Sequence, residues 1–182
     1  MAELKLSAPV GRRDHAQGLD SAPLVLVEYG DYQCPFCARA HGRIKELQRE
    51  FGDNLLFVFR NFPLVEVHPD ALRAAETAEW AALQGEFWPI HDWLFEHQDE
   101  LDPQGLLAAA ADFELDPGGL QTAWQKRSQL PRIREDVRSA NDSGVGGTPA
   151  FFIDDFPYEG GLDQLSLVLR SVLASGASTR SG

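Results

Sequence analysis

At 182 residues, 43% of them hydrophobic, the chain is long enough for one domain, or a domain with an insertion, around a sizeable core. Its 16 basic and 28 acidic side chains give a formal charge of −12 with no basic block, which argues against nucleic acid and anionic membrane surfaces as partners. No segment approaches the length of an apolar membrane span and residues 1–20 hold no signal-like apolar stretch, so the sequence as given is expected to be cytoplasmic; a signal segment removed from it would make it periplasmic or extracytoplasmic.

Residues 1–20 read as an N-terminal extension, with 11–20 polar and turn-rich enough to be a loop. The first main strand follows over 24–29. Alternation puts Leu24, Leu26 and Glu28 on one face and Val25, Val27 and Tyr29 on the other. A strand apolar on both faces is central and covered on each side, which predicts that Glu28 is at least partly buried. A buried acid there would hold its proton more tightly and exchange it with a nearby thiol; the alternative is an acid emerging into solvent at the strand end.

Cys34-Pro35-Phe36-Cys37 comes next and contains both cysteines of the chain. Proline is tolerated in the first helical turn, where its missing N–H costs nothing, so the motif places Cys34 at a helix start with unpaired amides and the positive end of the helix dipole facing its sulfur. That predicts an ionisable, nucleophilic Cys34 and a resolving Cys37 one turn deeper. The same spacing also serves zinc sites and structural bridges. A structural zinc site needs four ligands, and the chain has no second cysteine pair; His41, four residues on, would be a third at best, against a plain reading of it as a solvated helix residue. A bridge over so short a loop removes little chain entropy. Redox chemistry is the favoured reading, with no metal expected. Asp31 reads as a loop residue whose charge would oppose thiolate formation.

The helix after the cysteines is predicted to run to Phe51, and residues 54–62 form a second strand parallel to the first. From Pro69 to Gly144 the pattern is helical, with segments at 71–83, 87–97, 103–112, 117–127 and 130–142; Asp102-Pro103 and Asp116-Pro117 are cap-then-proline starts. Trp80, Trp88, Trp93 and Trp124 read as the core of this block and its seam with the sheet. His15, His68, His91 and His97 read as surface, cap or helix-packing residues. A strand follows at 148–153, a turn with a short edge strand at 154–160, a helix at 162–173 and a frayed tail at 174–182.

These motifs together resemble the DsbA-like thioredoxin-fold oxidoreductases. The resemblance rests on residues 28–37 and continues in family order through Arg60-Asn61-Phe62-Pro63-Leu64 with His68-Pro69, Gln84-Gly85-Glu86-Phe87-Trp88 with His91-Asp92, and Gly144 to Phe152, covering about residues 20–173. It implies an α/β thioredoxin fold, residues 21–68 and 145–173, interrupted by an inserted helical domain at 69–144. It also implies a cis Thr148–Pro149 bond facing the dithiol, with Thr148, Pro149, Pro35 and Phe36 forming the surface that meets an extended substrate chain. One departure is Phe36, where the strongest oxidants of the family carry histidine; a phenyl ring offers the sulfur no N–H, so Cys34 is expected to be less acidic and the disulfide less oxidising than theirs.

The leading expectation is a thiol-disulfide oxidoreductase in which Cys34 and Cys37 exchange electrons with protein or small-thiol substrates, Glu28 serves proton transfer, and no cofactor is needed beyond the disulfide, with glutathione a candidate electron partner. A monomer acting on protein thiols or an upstream redox protein is expected. A glutathione-linked transferase or isomerase shares the architecture but needs no resolving thiol. A redox sensor or peptide-binding module is the non-enzymatic alternative, and a zinc protein the fourth.

Overall fold

The structure, a computed structural model, describes residues 4–179, with side chains to residue 176. Among the described residues five strands, β1 (His15–Gln17), β2 (Leu24–Gly30), β3 (Leu55–Asn61), β4 (Ala150–Ile153) and β5 (Phe156–Tyr158), form one sheet in the order β1-β3-β2-β4-β5. Its centre is β2 (Leu24–Gly30), which lies parallel to β3 (Leu55–Asn61) and antiparallel to β4 (Ala150–Ile153). Parallel neighbours need a crossover, and α1 (Pro35–Phe51) supplies it. β5 (Phe156–Tyr158) closes one edge against β4.

The two faces of β2 are covered as its alternation predicts. Leu24 and Leu26 join Phe57, Phe59, Phe151 and Ile153 in the larger core beneath α1, while Val27 and Tyr29 join Leu56, Val58 and Phe152 in a smaller one on the other side. Five helices lie between β3 and β4: α2 (Ala71–Ala82), α3 (Phe87–Glu96), α4 (Pro103–Asp112), α5 (Pro117–Lys126) and α6 (Leu130–Asp142). Asp102 and Asp116 cap α4 and α5 by accepting backbone N–H bonds from Gln104 and Gly105, and from Gly118. Residues of α2, α3, α4 and α6 share the larger core with the sheet. Trp88 meets Phe57 of β3 with ring centroids 6.0 Å apart, and Trp80 packs with Leu120 and Ala123, so these tryptophans form seam and core.

Two expectations are corrected. The loop predicted at 11–20 contains β1 (His15–Gln17), paired antiparallel with β3. Three residues are too few for a period-2 pattern, and the strand is held by partners distant in sequence: His15 stacks on Phe87 at 3.5 Å and its Nε2 meets Glu79 Oε1 at 2.9 Å. The frayed tail is not one over residues 174–179, because α7 runs Leu162–Thr179. Ala174 and Ser175 continue the helix, Ser175 donating to the Ser171 carbonyl, and no proline stops it. Residues 180–182 of that predicted tail, like residues 1–3 of the N-terminal extension, lie outside the described residues. Among the described residues, no helix is long and apolar enough to cross a membrane.

Candidate active site

The end of β2 delivers the chain into α1 through Asp31-Tyr32-Gln33. Gly30 makes that turn fit, since a Cβ there would stand 2.4 Å from Phe59 Cε2. Cys34 is the N-cap of α1 in extended conformation, with Pro35 in the first turn, as the motif predicts. Cys37 follows one turn in and is fully buried, whereas Cys34 is 3% exposed. Both thiols are free.

The two sulfurs experience opposite environments. Cys34 accepts a hydrogen bond from the Cys37 thiol and is flanked by Thr148 and by the backbone amides of Cys37 and Phe36; against the opposing effect of burial, these bring it from the ordinary 9.0 to about 5. Burial, the bond to Cys34 and the charge of Glu28 push Cys37 far above its ordinary range. Proton-donating neighbours therefore select Cys34 as the thiolate. Glu28 is 2% exposed, and its Oε1 is buried without a hydrogen-bond partner. Burial first, and the Cys34 charge second, raise its carboxyl to about 8.

Thr148 faces the dithiol across the sheet. The Thr148–Pro149 peptide is cis, and the Cys34 thiol lies 3.5 Å from the Thr148 carbonyl. A cleft of about 380 Å³ runs beside it, lined in part by Gly146, Gly147, Thr148, Pro149 and Tyr158. Phe36 is 56% exposed, with the Arg39 guanidinium 4.8 Å above its ring.

Several residues that hold this loop are not identified by sequence reasoning. Asp31 is buried, and its carboxylate accepts from the Gln33 amide at 2.7 Å, the Leu64 amide at 2.8 Å and His68 Nδ1 at 2.8 Å. It is engaged by these donors and anchors the loop in which the sequence places it, and its own amide donates to Cys37 Sγ at 3.5 Å. Gln98 donates from Nε2 to the carbonyls of Tyr32 at 2.8 Å and Cys34 at 2.9 Å. Gln33 exchanges two bonds with Asp70 at the start of α2. Arg60 extends across the opposite face to Asp14, Tyr29 and the carbonyls of Ala8 and Pro9, fastening the N-terminal segment. No local pattern marks these side chains, although Asp31, Gln33, Arg60 and His68 sit in the stretches that carry the resemblance. His41 is not a solvated helix residue: it is buried, stacked on Phe95 at 5.2 Å and edge-on to His91 at 5.5 Å. His91 is buried too, its Nδ1 2.9 Å from the Tyr32 hydroxyl, and His97 packs on Trp93 as expected.

The fold that carries this site, one sheet with helices inserted between β3 and β4, is found in solved structures. BdbD from Bacillus subtilis in its oxidised form superposes with a TM-score of 0.82 at 22% identity, over 95% of this chain and 100% of that one. α-DsbA1 of Wolbachia pipientis gives 0.81 at 20% identity over 94% and 96%, and a thioredoxin-like oxidoreductase of Silicibacter pomeroyi 0.77 at 24% over 92% and 94%. The fold is thus the DsbA-like one. A family model described as Thioredoxin matches residues 11–168, and the chain belongs to the thioredoxin family. Curated relatives include the Na(+)/H(+) antiporters NhaA 1 of Mycolicibacterium vanbaalenii, 42% identical over 168 residues, and of Salinispora arenicola, 42% identical over 164. Those matches cover 91% and 89% of this chain but 27% and 25% of the antiporters, so the chain spans about a quarter of their length.

Proposed function

We propose that the chain is a thiol-disulfide oxidoreductase. The observation that carries this reading is the placement of two free thiols one helical turn apart, Cys34 capping α1 at 3.5 Å from the Thr148 carbonyl and Cys37 sealed beneath it. In the reducing direction the Cys34 thiolate attacks a substrate disulfide; a Cys34–substrate bond forms and one substrate thiolate leaves. Cys37 then gives up its proton, attacks the Cys34 sulfur and releases the second substrate thiolate, leaving a Cys34–Cys37 disulfide. Oxidation of a substrate dithiol is the same sequence reversed. Glu28 is the proton acceptor for Cys37: a carboxyl near 8 is partly ionised at neutral pH, the range in which a base works best.

The substrates are protein thiols or disulfides. Thr148 and the cleft beside Pro149 receive an extended chain, and the exposed Phe36, with Pro35 beside Cys34, offers it an apolar contact. No cofactor beyond the dithiol is required, and glutathione serves as a small-thiol electron partner. A Cys34 thiol near 5 lies between the roughly 7 of thioredoxin and the roughly 3.5 of DsbA, the direction expected from Phe36. The pair's potential, measured in glutathione buffers, assigns the compartment, reducing or oxidising, in which it works. The antiporters share this stretch over about a quarter of their length, and the activity proposed is that of the stretch alone.

The test is turnover in insulin reduction with dithiothreitol. Cys34→Ser is expected to abolish it, and Cys37→Ser to accumulate the mixed disulfide, visible as a mass adduct under non-reducing conditions. Undiminished turnover by Cys34→Ser would overturn the assignment.

A further inference from the structure

Behind the dithiol, on the flank of the same helix, a cluster of ligand-type side chains lacks the partners its burial calls for. His41 of α1 and His91 and Asp92 of α3 each bring one ligand atom within 4.8 Å of the others. His41 is 7% exposed, and its Nε2 has no hydrogen-bond partner. Asp92 Oδ1, also buried and unpaired, stands 3.7 Å from that nitrogen, too far for a hydrogen bond. Glu96, one turn beyond Asp92, places Oε1 3.9 Å from the same nitrogen. Two buried polar atoms left facing each other across such a gap are costly unless something lies between them.

We propose that His41, His91 and Asp92 form a binding site for a divalent cation of the zinc class, with Glu96 or water completing a four-coordinate shell. Two imidazole nitrogens and a carboxylate oxygen are a zinc donor set, whereas calcium and magnesium take oxygen ligands. Zinc–nitrogen and zinc–oxygen bonds of about 2.0–2.1 Å separate tetrahedral ligands by about 3.3 Å, close to the 3.7 Å of the His41–Asp92 pair, with all three ligand atoms within 4.8 Å of one another. Outer partners are in position as well. The Tyr32 hydroxyl fixes the His91 ring through Nδ1, and Lys45 Nζ holds the other oxygen of Asp92 at 2.6 Å. Lys45 is the group that opposes a cation here; it is partly exposed and free to withdraw into solvent when one binds. The ion would clamp α1, which carries Cys34 at its start, to α3 of the inserted helices.

The experiment uses the full chain with Cys34→Ser and Cys37→Ser, so that the dithiol cannot chelate, freed of metal by EDTA and dialysis. Titration with zinc chloride by calorimetry is expected to show one saturable site, and zinc to raise the melting temperature. His41→Gln and Asp92→Asn, checked for native circular dichroism, are expected to weaken binding at least about tenfold and to lose the thermal shift. Cobalt should give a visible tetrahedral spectrum without thiolate charge transfer. No saturable uptake by the parent, or uptake by Asp92→Asn within about twofold of the parent, overturns the proposal; Asp92 is a third exposed, so its substitution leaves the core intact.

Discussion

Cys34 and Cys37 are the same chemical group, and only their places on α1 separate them: one caps the helix among donors, the other is sealed one turn below with a buried acid nearby. Alkylation of the reduced chain by iodoacetamide is therefore expected to rise with pH through about 5 and level off above it, with label on Cys34 and none on Cys37, read by peptide mass spectrometry. Glu28 supplies a second test. Its carboxyl moves from 4.5 to about 8 on folding, so the folded chain holds a proton that the unfolded chain releases. The stability tied to that proton is fully present below pH 4.5 and is lost as pH rises through about 8. Glu28→Gln should thus gain on the wild type as pH is raised from 5 to 8.5, by on the order of 1–3 kcal/mol at the upper end in urea melts. The same variant should lengthen the life of the mixed disulfide roughly 10- to 100-fold in stopped-flow traces, because Cys37 has lost its base.

Elements position these residues through contacts that cross the fold. The Gln98–Glu100 turn after α3 is the clearest case, since the single amide of Gln98 satisfies the carbonyls of Tyr32 and Cys34 and pins the dithiol loop to the inserted helices. Gln98→Ala is expected to lower stability by about 1–2 kcal/mol, seen as a lower urea midpoint with unchanged slope. At this scale β2, α1, β3 and the proline-capped α4 and α5 were legible, because each has an internal signal: alternation, a proline at the start, or a capping aspartate. β1 was not, because three residues contain no period and its pairing partner lies in β3. The end of α7 was misplaced because Ala174 and Ser175 are compatible with tail and helix alike.

For the molecule as a whole, thiolate stabilisation and folding are linked. A Cys34 thiol lowered from 9.0 to about 5 stabilises the folded, reduced chain above its unfolded value, and that contribution is lost as pH falls through about 5. The oxidised chain has no such thiolate. The stability difference between reduced and oxidised forms should therefore move in favour of the oxidised form as pH is lowered from 7.5 to 5, measured by paired thermal melts; a pH-independent difference would contradict the assigned thiolate. By itself, the sequence determined the dithiol at a strand-to-helix junction and the two-sided burial of β2, since both follow from residues next to one another, and it favoured a buried Glu28 over one emerging into solvent. Tertiary structure alone decided that Asp31 anchors His68 and Leu64, that Gln98 holds the loop, and that His41 meets His91 and Asp92. Those partners lie 33 to 66 residues apart for the loop contacts and on separate helices for the histidines. Periodicity and capping report only a residue's neighbours along the chain, whereas a polar group buried in the core takes its partner from whichever element packs against it.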